Sequence, residues 1–473
     1  MIFSSLTFFV FLAVVLGLYR ALRGDQQRRW MLLFASWFYY GWWNPWFLGL
    51  ILMSTLWGYA FALKIGEESD PLRRKRLLAV ALVCDLFLLG YFKYANFFID
   101  SFAQAFGITN TTILEVLLPP GISFFTFQSM SYLIDVYRRE IVVCHSLRDY
   151  MLFVAFFPQL FAGPIVRATE FLPQLLKPLT TTRENVAIGF QLFLLGLVQK
   201  LVFADNVATF VDPVFKAPAL YDTATLWLAM GGYSLQIFCD FAGYSLMAIG
   251  LGRVLGFTLP QNFDMPYVSR SITEFWRRWH MSLSRWLRDY LYISLGGNRQ
   301  GPLRTDVNLV LTMFIGGLWH GAGWNFVLWG GAHGLALMVH KHWSKRIGTP
   351  LIAERASPAV RHAYGGLMWL VTLLFVCVLW VPFRCQSFEA TSQFLWGLVH
   401  PTLGIHWIHP QTVLLLSTLA LWHVLRLAQA RVVTLLPSAT PRAWAPLWSL
   451  GLLTLALLLF APFAASPFIY FQF

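Results

Sequence analysis

Two histidines stand where an ionisable side chain is costly. His320 and His333 fall in the apolar run IGGLWHGAGWNFVLWGGAHG (315–334), and an ionisable group at membrane depth normally faces a bundle interior or a water-filled path. Neutral imidazole can take a proton from an alcohol near working pH and let the oxygen attack an acyl carbonyl. Acyl transfer is therefore the chemistry this segment suits. His320 is its candidate centre, set beside Trp319 among Gly316, Gly317, Gly321 and Gly323, which let a backbone or substrate approach closely. The same glycines would equally serve close helix packing, and His333 suits a satisfied core position as well as a ligand-facing one.

A second segment, RSITEFWRRWHMSLSRWLRDYLYISLGGNRQG (270–301), has helical periodicity. At about 100° per residue, Ile272, Phe275, Trp276, Trp279, Leu283, Trp286, Leu287 and Tyr290 share one arc, with Arg277, Arg278, Arg285 and Arg288 opposite. This spacing predicts one amphipathic helix at the cytoplasmic interface, its guanidinium groups turned to water, anionic lipid or phosphates. His280 sits at the edge of the apolar arc, where it could face a cavity or simply hydrogen-bond a neighbouring carbonyl. Asp240, near Gln236 in LQIFCDFAGYS, and Asn325 are further polar residues within apolar runs and candidate cavity-lining groups with Trp319. No GxSxG, HExxH or GxxxxGK[ST] pattern competes. Cys84, Cys144, Cys239, Cys377 and Cys385 form no CxxC, so neither a metal centre nor a disulfide framework is expected. The sequon Asn110-Thr111-Thr112 is weak on its own.

The elements that must hold these residues follow from composition. Of 473 residues, 58% are hydrophobic and only 12% charged, with 21 Trp and 43 Phe, against about a quarter charged in soluble domains. A net charge of +13 invites a nucleic-acid partner, but no soluble fold hides so much apolar surface, so none is expected. The composition predicts an all-α polytopic membrane protein. Apolar runs at 2–19, 30–45, 46–63, 77–92, 116–136, 186–204, 223–250, 306–322, 323–339, 362–382, 412–429 and 444–463 suggest 11 or 12 spans. Segment 150–164 reads as re-entrant or interfacial. Arginine and lysine in the short loops place the N-terminus outside and 253–304 in the cytoplasm. No basic residue precedes the first run, so no cleavable signal is expected. The chain reads as a single membrane domain, with N-terminal helices over 1–115, a core over 116–345 carrying both histidine motifs, and C-terminal helices over 346–473.

The run NFDMPYVSRSITEFWRRWHMSLSRWLRDYLYISLGGNR (262–299), followed by GGLWHGAGWNFVLWGGAHG (316–334), resembles the membrane-bound O-acyltransferase family, in its bacterial polysaccharide-modifying branch. Supporting runs are PPGISFFTFQSMSYLIDVYR (119–138), FFPQLFAGPIVR (156–167), QIFCDFAGYS (236–245) and FIYFQF (468–473). Leu246 stands where the family pattern carries an acid. The resemblance implies a helical bundle around a central funnel, with the family's invariant WHG histidine at His320 and its second histidine at His280. It implies acetyl-coenzyme A as the cytoplasmic acyl donor, with Arg277, Arg278, Arg285 and Arg288 suited to its phosphates, and no bound cofactor. The expected activity is transfer of an acetyl group across the inner membrane for O-acetylation of an exported polysaccharide such as alginate or cellulose. Implied partners are an extracytoplasmic acetyltransferase or esterase-like protein, docking on loops such as 93–115 or 383–411, a polysaccharide synthesis and export complex, and membrane lipid. D-alanyl or other acyl transfer to a cell-wall polymer, and a lipid-linked saccharide transporter, are the alternatives.

Overall fold

The computed structural model describes residues 1–108, 114, 116–161, 163–353, 355–435, 447–462 and 468–469. The sequon at 110–112 and the last four residues lie outside these. Every regular element among the described residues is helical, and the chain forms two compact units.

The first unit comprises Met1–Phe193 and Tyr244–Pro260. Its helices are α1 (Leu6–Ala21), α2 (Asp25–Gly41), α3 (Pro45–Glu67), α4 (Pro71–Leu89), α5 (Ala95–Phe106), α6 (Ile122–Arg138), α7 (Leu147–Ala155), α8 (Ala168–Leu175) and most of α9 (Arg183–Leu197). Proline at the first helical position and a capping Asn44 or Asp70 start α3 and α4, since proline lacks the N–H that would be orphaned there. The Pro119-Pro120 pair likewise precedes α6, which begins only at Ile122. That helix is buried along nearly its whole length, Gln128, Ser129, Ser131 and Asp135 included. A helix surrounded by protein needs no apolar face toward lipid. The segment 150–164 yields the nine-residue α7 followed by turns, too short to cross a bilayer.

The second unit comprises Leu194–Gly243 and Gln261–Phe473. It holds α10 (Asn206–Lys216), most of α11 (Thr223–Val254), the short α12 (Ile272–Arg278) and α13 (Met281–Trp286), α14 (Pro302–His320), α15 (Trp324–Trp343), α16 (Pro358–Arg384), α17 (Phe388–Val399), α18 (Pro410–Leu435) and α19 (Leu447–Phe460). The hairpin of α14 and α15 is its tightest pair. A Cβ built on Gly330 would lie 2.3 Å from the Met313 carbonyl oxygen, and one on Gly317 2.3 Å from that of Phe326. Small residues let the two backbones meet. Within the same unit Lys200 is buried between two carboxylates, 2.8 Å from Asp205 and 2.5 Å from Asp240. The other Asp240 oxygen accepts the Ile469 N–H at 2.8 Å.

Among the described residues, five helices are long and apolar enough to cross a membrane: Pro45–Glu67, the continuous Pro71–Phe106 and Arg183–Lys216, Thr223–Val254 and Pro358–Arg384. Shorter apolar helices cover Leu6–Ala21, Pro410–Leu425 and Leu450–Phe460 among the described residues.

Two outcomes follow from this packing. Gly330→Ala should cost about 1–3 kcal/mol, because the clash is with backbone, whereas Gly331→Ala, whose Cβ meets nothing within 4 Å, should leave stability unchanged. Thermal unfolding of the detergent-solubilised protein separates the pair, and equal melting temperatures would contradict the packing. Lys200→Met leaves two buried carboxylates uncompensated and should cost about 3–5 kcal/mol. A Lys200→Met variant as stable as wild type would show that the cluster is not a buried ion pair.

Candidate active site

The segment 270–301 is not one helix. The chain leaves α12 at an extended Trp279 (φ −101°) and passes through His280 in the left-handed region (φ 42°, ψ 54°), and only then enters α13. A left-handed non-glycine residue costs on the order of 1–3 kcal/mol and persists only where its surroundings enforce it. The enforcing group is Asn262. Its carbonyl accepts the Met281 N–H at 2.9 Å, and its side-chain oxygen accepts the Ser282 N–H at 3.2 Å and hydroxyl at 2.6 Å. The Asp264 N–H in turn donates to the Arg278 carbonyl at 2.9 Å. The irregular 262–264 segment thus supplies partners to both helix ends that the break exposes. Beyond α13 the chain continues through a π-helical stretch, Leu287–Tyr292. All eight residues of the expected apolar arc are buried.

The break turns His280 inward. Its imidazole is fully buried, 4.5 Å from the Phe241 ring in an edge-on arrangement and 6.0 Å from Trp319. His320, the last residue of α14, is buried 6.4 Å from His280, measured between ring centroids. Trp319 (4.9 Å), Trp329 (5.1 Å) and Phe383 (5.3 Å) surround it, all edge-on. The two histidines named from their motifs therefore belong to one aromatic box. Among the described residues neither ring nitrogen of His280 has a hydrogen-bond partner, and burial pushes its pKa down to about 3. It stays neutral at working pH, able to accept or donate a hydrogen bond without carrying charge.

The other expected site residues take different places. Trp319 is part of the box. Asn325 is buried at the start of α15 and donates from its amide nitrogen to the Cys385 carbonyl at 2.9 Å. Asp240 faces Lys200 and the Ile469 N–H rather than the histidines. Arg277, Arg278, Arg285 and Arg288 all line a separate cavity of about 1350 Å³, together with His340, Lys341 and Lys345. Neither His280 nor His320 lines it, but Met281, next to His280 in the chain, and Trp276 do.

The four arginines are not equivalent. Arg278 is held by Glu274 at 3.0 Å and Asp264 at 3.1 Å, and Arg288 by Asp289 at 2.6 Å. Lys341 is paired with Asp306 at 2.7 Å. Arg277 and Lys345 have no acidic partner among the described residues, which leaves their charge available to an anion. The same residues hold no group of three or more His, Cys, Asp or Glu side chains placed to bind a metal, and all five cysteines are free.

Asn262 and Phe241 are functional-site neighbours that periodicity did not single out. Asn262 heads the NFDMP stretch, and its role rests on tertiary hydrogen bonds that carry no signal of their own in the sequence.

Comparison with known proteins places the chain in a family. The description "MBOAT, membrane-bound O-acyltransferase family" matches residues 34–381, which include both histidines and the arginine-lined cavity. A probable alginate O-acetylase, AlgI, of Pseudomonas aeruginosa is 44% identical over 396 residues, 82% of this chain and 73% of that protein. A peptidoglycan O-acetyltransferase of Helicobacter pylori is 39% identical over 397 residues, 78% of this chain and 73% of that protein. A teichoic acid D-alanyltransferase of Streptococcus thermophilus is 32% identical over 244 residues, 48% of this chain and 57% of that protein. With its apolar helices, its buried histidine pair and these relatives, the chain is a multi-pass membrane protein and an O-acyltransferase that belongs to the membrane-bound O-acyltransferase family.

Proposed function

We propose that this protein takes an acetyl group from acetyl-coenzyme A at the cytoplasmic face of the bacterial inner membrane and passes it outward for O-acetylation of an exported polysaccharide, alginate or cellulose being the expected polymers. The observation that carries this reading is the pairing of His280 and His320 in one buried box, in the same unit as a cavity lined by Arg277, Arg278, Arg285 and Arg288. Arg277 and Lys345 would hold donor phosphates, since charge-assisted contacts to phosphate are the strong ones. His320 removes the proton from the acceptor hydroxyl as its oxygen attacks the thioester carbonyl. The tetrahedral intermediate then collapses, the C–S bond breaks, and the thiolate takes up a proton. His280, held neutral, hydrogen-bonds the reacting groups from the other side. The box excludes water, which would otherwise hydrolyse the thioester.

The acceptor hydroxyl belongs to an extracytoplasmic partner of acetyltransferase or esterase type that delivers the acetyl group to the sugar beside the synthesis and export complex. The relatives named as an alginate O-acetylase and a peptidoglycan O-acetyltransferase support acetyl as the group. The teichoic acid D-alanyltransferase relative supports a second reading, D-alanyl transfer by the same residues.

In cells carrying His320→Ala at wild-type membrane level, ester-linked acetyl on the exported polymer should fall by at least about 100-fold, as loss of a general base does, while polymer yield holds. Unchanged acetylation would contradict the assignment, and incorporation of labelled D-alanine in place of acetate would favour the second reading. Arg277→Ala should raise KM for acetyl-coenzyme A by about tenfold or more, the weight of a hydrogen bond to a charged group, and an unchanged KM would remove the phosphate role.

A further inference from the structure

One wall of the aromatic box around His320 leads to the surface. Phe383, 5.3 Å from His320 between ring centroids, is buried. Behind it stands Phe326, edge-on at 5.1 Å and only half-buried. The series His320, Phe383, Phe326 thus runs from the interior outward, and Ala322 and Trp324 in the adjoining turn are exposed.

Gly321, the residue after His320, shows how closely the Phe326 ring lies against this end of the box. Its backbone is extended (φ −158°, ψ 148°), a conformation any residue adopts, so the backbone itself does not call for glycine. Space does. A Cβ built on Gly321 would fall well inside van der Waals distance of three atoms of the Phe326 ring. The backbone beneath that ring is held: the Phe326 N–H donates to the Gly323 carbonyl at 3.1 Å, and the Phe326 carbonyl oxygen meets Gly317 in the tight α14–α15 contact. With the backbone fixed, the ring leaves its place by rotating about its own side-chain torsions.

The end that Phe326 covers lies away from the arginine-lined cavity. On α14 the wall of that cavity ends at Met313, before His320, and on α15 it begins at Leu337. Phe326 is about 16 Å from Leu337 along the helix at 1.5 Å per residue. An acceptor that approaches opposite the donor meets this ring first, and so does water.

We propose that the Phe326 ring is a gate, closed over the His320 end of the box at rest and turned aside by the incoming acceptor, and that it thereby selects a hydroxyl over water as the group that receives the acetyl. The proposal rests on the reading of acetyl-coenzyme A as donor and His320 as base. With the gate open and no acceptor in place, water attacks the thioester carbonyl while His320 takes its proton. The C–S bond then breaks, the thiolate takes up that proton, and acetic acid and coenzyme A leave. A closed site prevents this loss.

The test measures acetate released from acetyl-coenzyme A by the purified full-length protein with no acceptor present. Ester-linked acetyl on exported polymer, in cells carrying each variant at wild-type membrane level, reports whether that variant is folded. Phe326→Ala should release acetate at least severalfold faster than wild type, with Phe326→Leu in between. Gly321→Ala, whose methyl group pushes the ring aside, should act in the same direction. The double variant should leak no more than Phe326→Ala, because no ring is left to displace. Adding His320→Ala to Phe326→Ala should abolish the extra release. Phe326→Ala protein that acetylates polymer and releases no more acetate than wild type would show that the ring is not the barrier. Loss of both activities in Phe326→Ala, Phe326→Leu and Gly321→Ala alike would make it a packing residue, and extra release that persists without His320 would place the leak elsewhere. Each of these results overturns the gate while leaving the acetyl-coenzyme A reading intact. Wild-type cells that place labelled D-alanine and no acetate on the polymer would overturn the donor reading and this proposal together.

Discussion

The geometry of the site depends on one short stretch of backbone, the break at Trp279 and His280. A continuous helix through this segment would leave His280 on its edge, beside the arginines. Instead the hydrogen bonds from Met281 and Ser282 to Asn262 hold His280 at a positive φ, and the imidazole turns into the box that contains His320. The strain is local and its repayment is spread over several buried hydrogen bonds, the usual way a functional conformation is retained. The same break lets α12 and α13 keep their aromatic residues inside while Arg277, Arg278, Arg285 and Arg288 remain on the cavity wall.

Desolvation gives that geometry its chemical meaning. An imidazole closed off by Phe241 and Trp319 is desolvated, which pushes its pKa down to about 3 and holds His280 neutral beside His320. The positive charge lies elsewhere, in a polar cavity where Arg278, Arg288 and Lys341 have carboxylate partners and, among the described residues, Arg277 and Lys345 do not. Under the proposed mechanism, keeping charge recognition apart from the proton-transfer centre lets each have the environment it needs. Phosphates require solvated, partly neutralised cations, whereas the thioester requires a place without water.

Much of this was legible from residue types alone. The apolar arc of 270–290 is buried as its spacing predicts, and the arginines opposite it share one cavity. The break itself was not legible, because Phe275, Trp279 and Leu283 keep the helical spacing across it. What forces the break is Asn262, whose bonds to Met281 and Ser282 are tertiary. Asp240 misled for a related reason: an acid in an apolar run suggests a cavity, but its partners, Lys200 and the Ile469 N–H, come from distant parts of the chain. The buried polar side of α6 shows the same effect on span counting, since a run enclosed by protein need not match lipid in polarity.

The central claim is that His280 and His320 act as one centre. The most direct measurement is the single-turnover rate of acetyl transfer by reconstituted protein carrying His280→Ala, His320→Ala or both. If the two imidazoles serve the same transition state, the double variant will be about as slow as the slower single variant, because groups that act as a unit are strongly non-additive. Losses that simply multiply would mean independent roles, and the box joining them would then be packing rather than an active site.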